Sequence, residues 1–336
     1  MLVQVILIPL MGPLHLRFPL YNAVSVLDIV RASRAERLAT TALPADAFTN
    51  PSWQDTEEIA LPLAVAPWSG RMGVPLHGVG EPSPDRAAVD DLHRYLLHYS
   101  SMQTVLQELE ARRRPCDSLL KEALTLERIQ NEFLPLLQEY QEFRETVLEE
   151  GPATDWLRSR VRVMAKRIVR LPGKRIVVLA SADHLPFLSA ILEEYLTLLP
   201  TPSVRPSRES RERSLLDFAF RNETADPLSL VEQLRQLDAA EARYHEANIL
   251  LTHDHVHEAL AILEESARGD FHHPYFLPGY LLSRLGQLRD LNGDRQGAKR
   301  AYRAVLALSY APPEALEAAR EGLVRSFARH SQDIDG

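Results

Sequence analysis

Hydrophobic positions along this chain follow two periods. Short continuous apolar runs bounded by glycine and proline occupy residues 2–10, through Val5-Ile6-Leu7-Ile8, and residues 175–180, through Ile176-Val177-Val178-Leu179. Runs of this length, partly β-branched and apolar on both faces, predict central strands of a parallel sheet covered by helices on each side. Shorter strand candidates lie at 37–42 and 74–79. After the first run, Val24, Leu27 and Val30 recur at helical spacing, and Val26 and Ile29 widen the face, so the chain opens as a βαβ unit.

From 85 to 150 the period is helical. Leu92, Leu96, Met102, Leu106 and Leu109 share one face, Pro115 interrupts, Asp117 is placed to cap, and Leu120, Leu124, Ile129, Phe133, Leu137 and Tyr140 continue the stripe. This predicts a helical hairpin inserted into the α/β unit. A third helix over about 154–171 sets Leu157, Val161, Met164 and Ile168 against a basic stripe of Arg158, Arg162, Lys166 and Arg170. A further helix is expected over 186–199, and the proline- and serine-rich stretch that follows reads as a linker. The remainder reads as helices at 228–251, 256–268, 275–291, 295–308 and 313–327. The expected architecture is an α/β domain over 1–200 with an insertion at 85–150, a linker over 201–226, and an all-α domain over 227–330.

Within that all-α domain, Leu285-Gly286, Ala298 and Tyr302, followed by Pro312, are spaced like a tetratricopeptide (TPR) unit, with small residues where two helices cross and an aromatic wedge near the second helix's end. A weaker copy has Ala247, Ala259 and Leu263, set further from the first than the regular period of about 34 residues. TPR-like hairpins imply a protein or peptide partner held in a groove. The alternative is a set of generic hairpins packed for stability alone.

Composition narrows the function classes. The 336 residues carry 38 Lys and Arg against 46 Asp and Glu, a net charge of -8, so no global field attracts nucleic acid, and none is expected as a partner. The basic stripe lacks interleaved aromatics and suits a solvated face or a partner for the acidic helices at 132–150. A single cysteine, Cys116, excludes an intrachain disulfide, fits a reducing compartment and reads as an inert thiol. The amino terminus lacks a basic region and a small-residue cleavage site, and no run reaches the roughly 20 apolar residues of a membrane span, so a cytoplasmic protein is expected.

Familiar catalytic motifs are missing: there is no G-x-S-x-G elbow, phosphate loop, G-x-G-x-x-G or H-E-x-x-H. Two strand-end histidines stand out, His15 in Gly12-Pro13-Leu14-His15 and His184 in Ser181-Ala182-Asp183-His184. Open parallel sheets bind ligands beyond the carboxyl ends of their strands, where two such histidines could meet. His77 on the third strand candidate is a further crevice residue. The histidines at 253, 255 and 257 read as solvated loop residues.

These residues, with Arg160, Met164 and Ala165 on the helix before the second long strand, resemble the superfamily of TraB pheromone-shutdown proteins, Tiki proteases, erythromycin esterases and ChaN-like haem-binding proteins. The resemblance spans roughly residues 1–195 and rests on ordered G-x-x-H motifs at two strand ends, the second of which has Ser181 in the glycine's place. The acid that the superfamily tends to place at the second strand's end is missing, Asp46 comes later, and Glu81 is the better surviving carboxylate.

The resemblance implies a divalent metal, zinc or manganese, on His15, His184 and Glu81, activating water, with Arg160 stabilising an oxyanion or carboxylate. It also allows a haem ligand, which nothing in the composition requires. Against this stands a purely architectural reading, in which His15 and His184 cap strand ends by backbone hydrogen bonds and Arg160 is a surface or core-edge ion pair. The expected function is a metal-dependent hydrolase or its ligand-binding derivative, with a non-enzymatic adaptor as the alternative.

Overall fold

A computed structural model of the chain describes residues 3–81, 86–98, 100–148, 156–193, 195–198 and 205–328. Two units follow one another, Met1–Ser214 and Leu215–Gly336.

The first unit is built on a wholly parallel five-stranded sheet in the order β3-β2-β4-β1-β5, with β1 at Gln4–Leu10, β2 at Arg37–Thr40, β3 at Leu76–Gly78, β4 at Arg175–Ser181 and β5 at Leu196–Leu198. Alternate residues of the central strands feed two separate cores. Ile6, Ile8, Leu10, Leu38, Val177 and Leu179 face α1 (Ala23–Ser33) and the helical insertion. Val5, Leu7, Ala39, Ile176, Val178 and Ala180 face the other way. Burial on both faces is why β1 and β4 are continuous apolar runs.

Between β2 and β3 a π-helical turn, Leu61–Val65, runs into α2 (Ala66–Met72). The insertion comprises α3 (Arg86–His98), α4 (Ser100–Leu119), α5 (Leu126–Arg128) and α6 (Leu134–Val147). Pro115 does not end α4, which continues to Leu119 with the proline inside it, so Asp117 caps nothing there. Next come α7 (Trp156–Arg170), β4 and α8 (Leu185–Ile191). Buried Val161, Met164 and Ile168 of α7 join Leu185 and Leu188 of α8 on the second face of the sheet. The basic stripe on α7 is partly engaged: Arg158 pairs with Glu145 and lies over the Phe187 ring.

The helix expected over 186–199 stops at Ile191, and β5 pairs with the open edge of β1. Unpaired strand-edge groups outweigh the weak helical pattern there. Most of the expected linker is also ordered structure. Residues 201–204 lie outside the described ones, but α9 spans Arg208–Arg221. Its first half belongs to the first unit: Asn22, the buried N-cap of α1, donates to the Ser210 carbonyl and to Ser214 Oγ, each at 2.8 Å.

In the second unit α10 (Pro227–Leu234) is separate from α11 (Ala240–Thr252), so the single helix expected over 228–251 is broken. Two hairpins follow, α11 with α12 (Val256–Ser266) and α13 (Leu277–Leu291) with α14 (Arg295–Leu306), and then α15 (Pro313–Val324). The Tyr302 ring is fully buried and packs against both Gly286 and Gly322, where a Cβ would overlap the ring. Among the described residues no helix is long and apolar enough to cross a membrane.

All three tryptophans, Trp53, Trp68 and Trp156, lie in the first unit, so their fluorescence reports on it alone. Gly286→Ala forces a methyl into the Tyr302 ring and is expected to cost about 1–3 kcal/mol. Urea unfolding followed by circular dichroism should move to lower midpoint while the tryptophan transition stays in place.

Candidate functional site

The carboxyl edge of the sheet lies where β1 and β4 run side by side, with Leu10 opposite Ser181. The chain leaves β1 for α1 on one face and leaves β4 for α8 on the other, and crevices in open α/β sheets form where such connections diverge. Both strand-end histidines sit at this edge, in different roles.

After β1 the chain enters a 3₁₀ turn, Gly12–Leu16, with Gly12 at φ 59°, a left-handed conformation that glycine takes without a Cβ penalty. The turn folds His15 back beneath its own strand. Its Nε2 accepts the Met11 N–H at 3.0 Å, and its Nδ1–H donates to the Tyr21 carbonyl at 2.7 Å. These partners define the tautomer, because a backbone N–H can only donate and a carbonyl can only accept. Tyr21 Oη donates in turn to the Pro9 carbonyl at 2.6 Å. Burial lowers the His15 pKa to about 4, against the raising effect of the Tyr21 bond, so the ring is neutral at pH 7.

Glu58, to which the sequence reading gave no role, joins the two strands. Its Oε2 accepts the Gly12 N–H at 2.7 Å, and the Ser181 hydroxyl donates to the same carboxylate. Burial pushes its pKa up, the two hydrogen bonds oppose that, and nearby Asp183 and Glu57 add to it. Thr41, one residue past β2, completes the edge. Its Oγ1 accepts the Ser181 N–H at 3.0 Å and lies 2.9 Å from His184 Nδ1. The only signal for Glu58 was its position just ahead of a buried apolar run at 59–65.

His184 is nearly buried, and its pKa is lowered to about 4 by burial first and Arg160 second. Arg160, on α7, donates from Nη2 to the Glu81 carbonyl at 3.1 Å. Its Nε is buried and has no hydrogen-bond partner among the described residues. Burial lowers its pKa, with Glu81 opposing. The Glu81 carboxylate itself pairs with Arg167 at 2.5 Å. His77 pairs with Ala39, whose side chain belongs to the core against α7 and α8, and Asp46 is exposed in the loop after β2.

The expected metal set therefore does not fit. Catalytic zinc normally takes three protein ligands. Here both His15 nitrogens are committed to the backbone, Glu81 is held by Arg167, and His184 is the one of the three that lines the cavity described next. Among the described residues no group of three His, Cys, Asp or Glu side chains is arranged to hold a metal ion.

The edge opens instead on a cavity of about 580 Å³ beneath the insertion. Its charged and ionisable lining includes His184, Asp183, Arg160, Arg113, Arg144, Glu110 and Asp117, and leucines of α3, α4 and α6 line it as well. Burial raises the Asp183 pKa, and Arg113 and Arg144 pull it down. Cys116 also lines the cavity, and burial pushes its thiol up, which favours the neutral form. Comparisons with protein-family models, curated proteins and solved structures find no match to this chain.

The two depressed imidazoles set the pH response. A histidine whose pKa is lower in the folded state is protonated first in the unfolded chain, so its contribution to stability is full above about 6.5 and is lost as pH falls towards about 4. Each removes up to about 3 kcal/mol over that window. Glu58 and Asp183, with raised pKa values, act in the opposite sense. Urea unfolding at a series of pH values should show stability falling below pH 6.5, with His184→Gln flattening the slope by about one proton. An unchanged slope in that variant would contradict the assignment.

Proposed function

We propose that the first unit is a ligand-binding derivative of the TraB/Tiki-like α/β domain, and that the second is a TPR-like module that holds a protein partner. The observation that carries the first half is the division of labour at the strand ends. His15 is spent on the backbone through both nitrogens, whereas His184 and Arg160 border a cavity roofed by the insertion. A hydrolytic metal centre would require His15 to abandon Met11 or Tyr21 and leave a buried backbone group unsatisfied, which is costly. Binding in the cavity requires no such change, and its volume lies within the usual range for small-molecule sites, roughly 300–1,000 Å³.

The TPR-like reading of the second unit is supported by small residues and an aromatic meeting where helices cross, at Gly286, Ala298, Tyr302 and Gly322. Around the buried Tyr244 and Phe276 rings, the exposed Phe220 and the partly exposed Tyr275, Tyr280 and Tyr310 supply the kind of side chain that protein partners engage.

The experiment combines metal dependence with cavity occupancy in the full chain. Added EDTA is expected to leave the tryptophan-detected unfolding midpoint unchanged. His15→Ala should cost about 3 kcal/mol, from two orphaned backbone groups and a void, to the same extent with or without zinc or manganese. Nile red, a neutral apolar dye, should bind once per chain, and Leu106→Trp, which fills the cavity from α4, should abolish binding while preserving the midpoint. If EDTA destabilises the wild type but not His15→Ala, the metal-hydrolase reading returns. If Nile red fails to bind, or binds Leu106→Trp equally well, the cavity is not the site.

A further inference from the structure

The cavity is lined by three arginines, Arg113, Arg144 and Arg160, and three carboxylates, Glu110, Asp117 and Asp183, and the arginines differ in how they are partnered. Arg113 is engaged by Asp117 at 3.4 Å and by Tyr140, and both Arg113 and Arg144 act on Asp183. On the α7 side Arg167 has the Glu81 carboxylate and Arg158 has Glu145. Arg160 is different. Among the described residues its guanidinium donates to one backbone carbonyl, its Nε is buried with no acceptor, and the Glu81 carboxylate that acts on its charge is already paired with Arg167. A guanidinium offers a planar fork of donors that a carboxylate matches through two parallel bonds.

The rest of the lining fixes what is attached to that acceptor. Leu92 and Leu96 of α3, Leu106 and Leu109 of α4, and Leu137 of α6 form a continuous apolar wall that continues to Leu148. Leu96, Leu109 and Leu148 are themselves a small buried cluster, so the wall is fixed in place by its own packing. Asp183, Glu110 and Asp117 line the same cavity, which favours a monoanionic head over a doubly charged phosphate.

We infer that the cavity takes a single-chain amphiphile with a carboxylate head, the head held by Arg160 beside His184 and the alkyl chain laid along the leucines of α3, α4 and α6. The inference rests on the ligand-binding reading proposed above. His184 borders the head position, and its Nδ1 is held by Thr41 Oγ1, which fixes the ring's orientation. The leucine wall contributes affinity without direction, and Arg160 contributes the selection for a carboxylate.

Calorimetric titration of the full chain with decanoate, decyltrimethylammonium and acetate tests this. Decanoate should bind once per chain, decyltrimethylammonium at least about tenfold more weakly, and acetate not measurably, because it has the head without the chain. Arg160→Gln should weaken decanoate by at least about tenfold and leave Nile red binding unchanged, with Arg160→Lys recovering part of the loss. Unaltered tryptophan-detected unfolding shows that the variants are folded. Decanoate binding no tighter than the cation, or insensitive to Arg160→Gln, overturns the carboxylate assignment. In either case a wild type that still takes up Nile red keeps the ligand-binding reading, and one that does not removes both.

Discussion

A parallel sheet leaves backbone N–H groups at its carboxyl edge with no next residue to pair them, and each must find an acceptor once helices cover the sheet. In this chain side chains meet that demand. His15 takes the Met11 N–H, Glu58 takes the Gly12 N–H, and Thr41 takes the Ser181 N–H. The arrangement of the site follows from these three bonds. They tie the end of β1 to the end of β4 through Glu58 and Ser181, and they tie β2 to β4 through Thr41. They also decide which polar groups remain for chemistry. A histidine that accepts through one nitrogen and donates through the other has nothing left for a metal, however well placed it is in sequence.

The cavity is a consequence of where the insertion attaches. It leaves the sheet after β3 and returns through α7, and its leucine stripes do not close completely over the β4 end. His184, Asp183 and Arg160 are left at the boundary between a packed edge and an open space. Burial then acts on each according to its charge, lowering His184 and Arg160 and raising Asp183.

Much of the frame was legible in the chain. Two-sided apolar runs at β1 and β4, the helical period of the insertion, and the change to an all-helical carboxyl-terminal part all follow from burial, and burial leaves a periodic trace. The errors arose where a backbone requirement outweighed that trace. Residues 196–198 form β5 because β1 has an open edge to fill, and Arg208–Arg221 is helical despite the prolines before it. The site was legible in part. The strand-end histidines and Arg160 could be picked out, but Glu58 could not, since a single buried acid has no period and takes its role from a glycine 46 positions away. Glu81 was expected beside the histidines, but its carboxylate pairs with Arg167, which follows the stripe member Lys166 on α7 and sits off the stripe.

The second unit provides a standard against which to judge Arg160. Asp290 is also a buried charge, and its carboxylate accepts from Arg295 at 3.0 and 2.9 Å, from Tyr302 Oη at 3.0 Å and from the Phe327 N–H at 2.9 Å. That is how a buried ion is held when its role is architectural, because an unpaired one is expensive and each added donor offsets part of its desolvation. Arg160 has one carbonyl and an orphaned Nε, yet it is desolvated enough for its pKa to fall. The same chain thus contains a completed buried carboxylate and a half-buried guanidinium with one buried nitrogen left without an acceptor among the described residues. The guanidinium lines the cavity, where an acceptor from outside can finish the set, and the binding role proposed for Arg160 rests on this contrast more than on its position in the sequence.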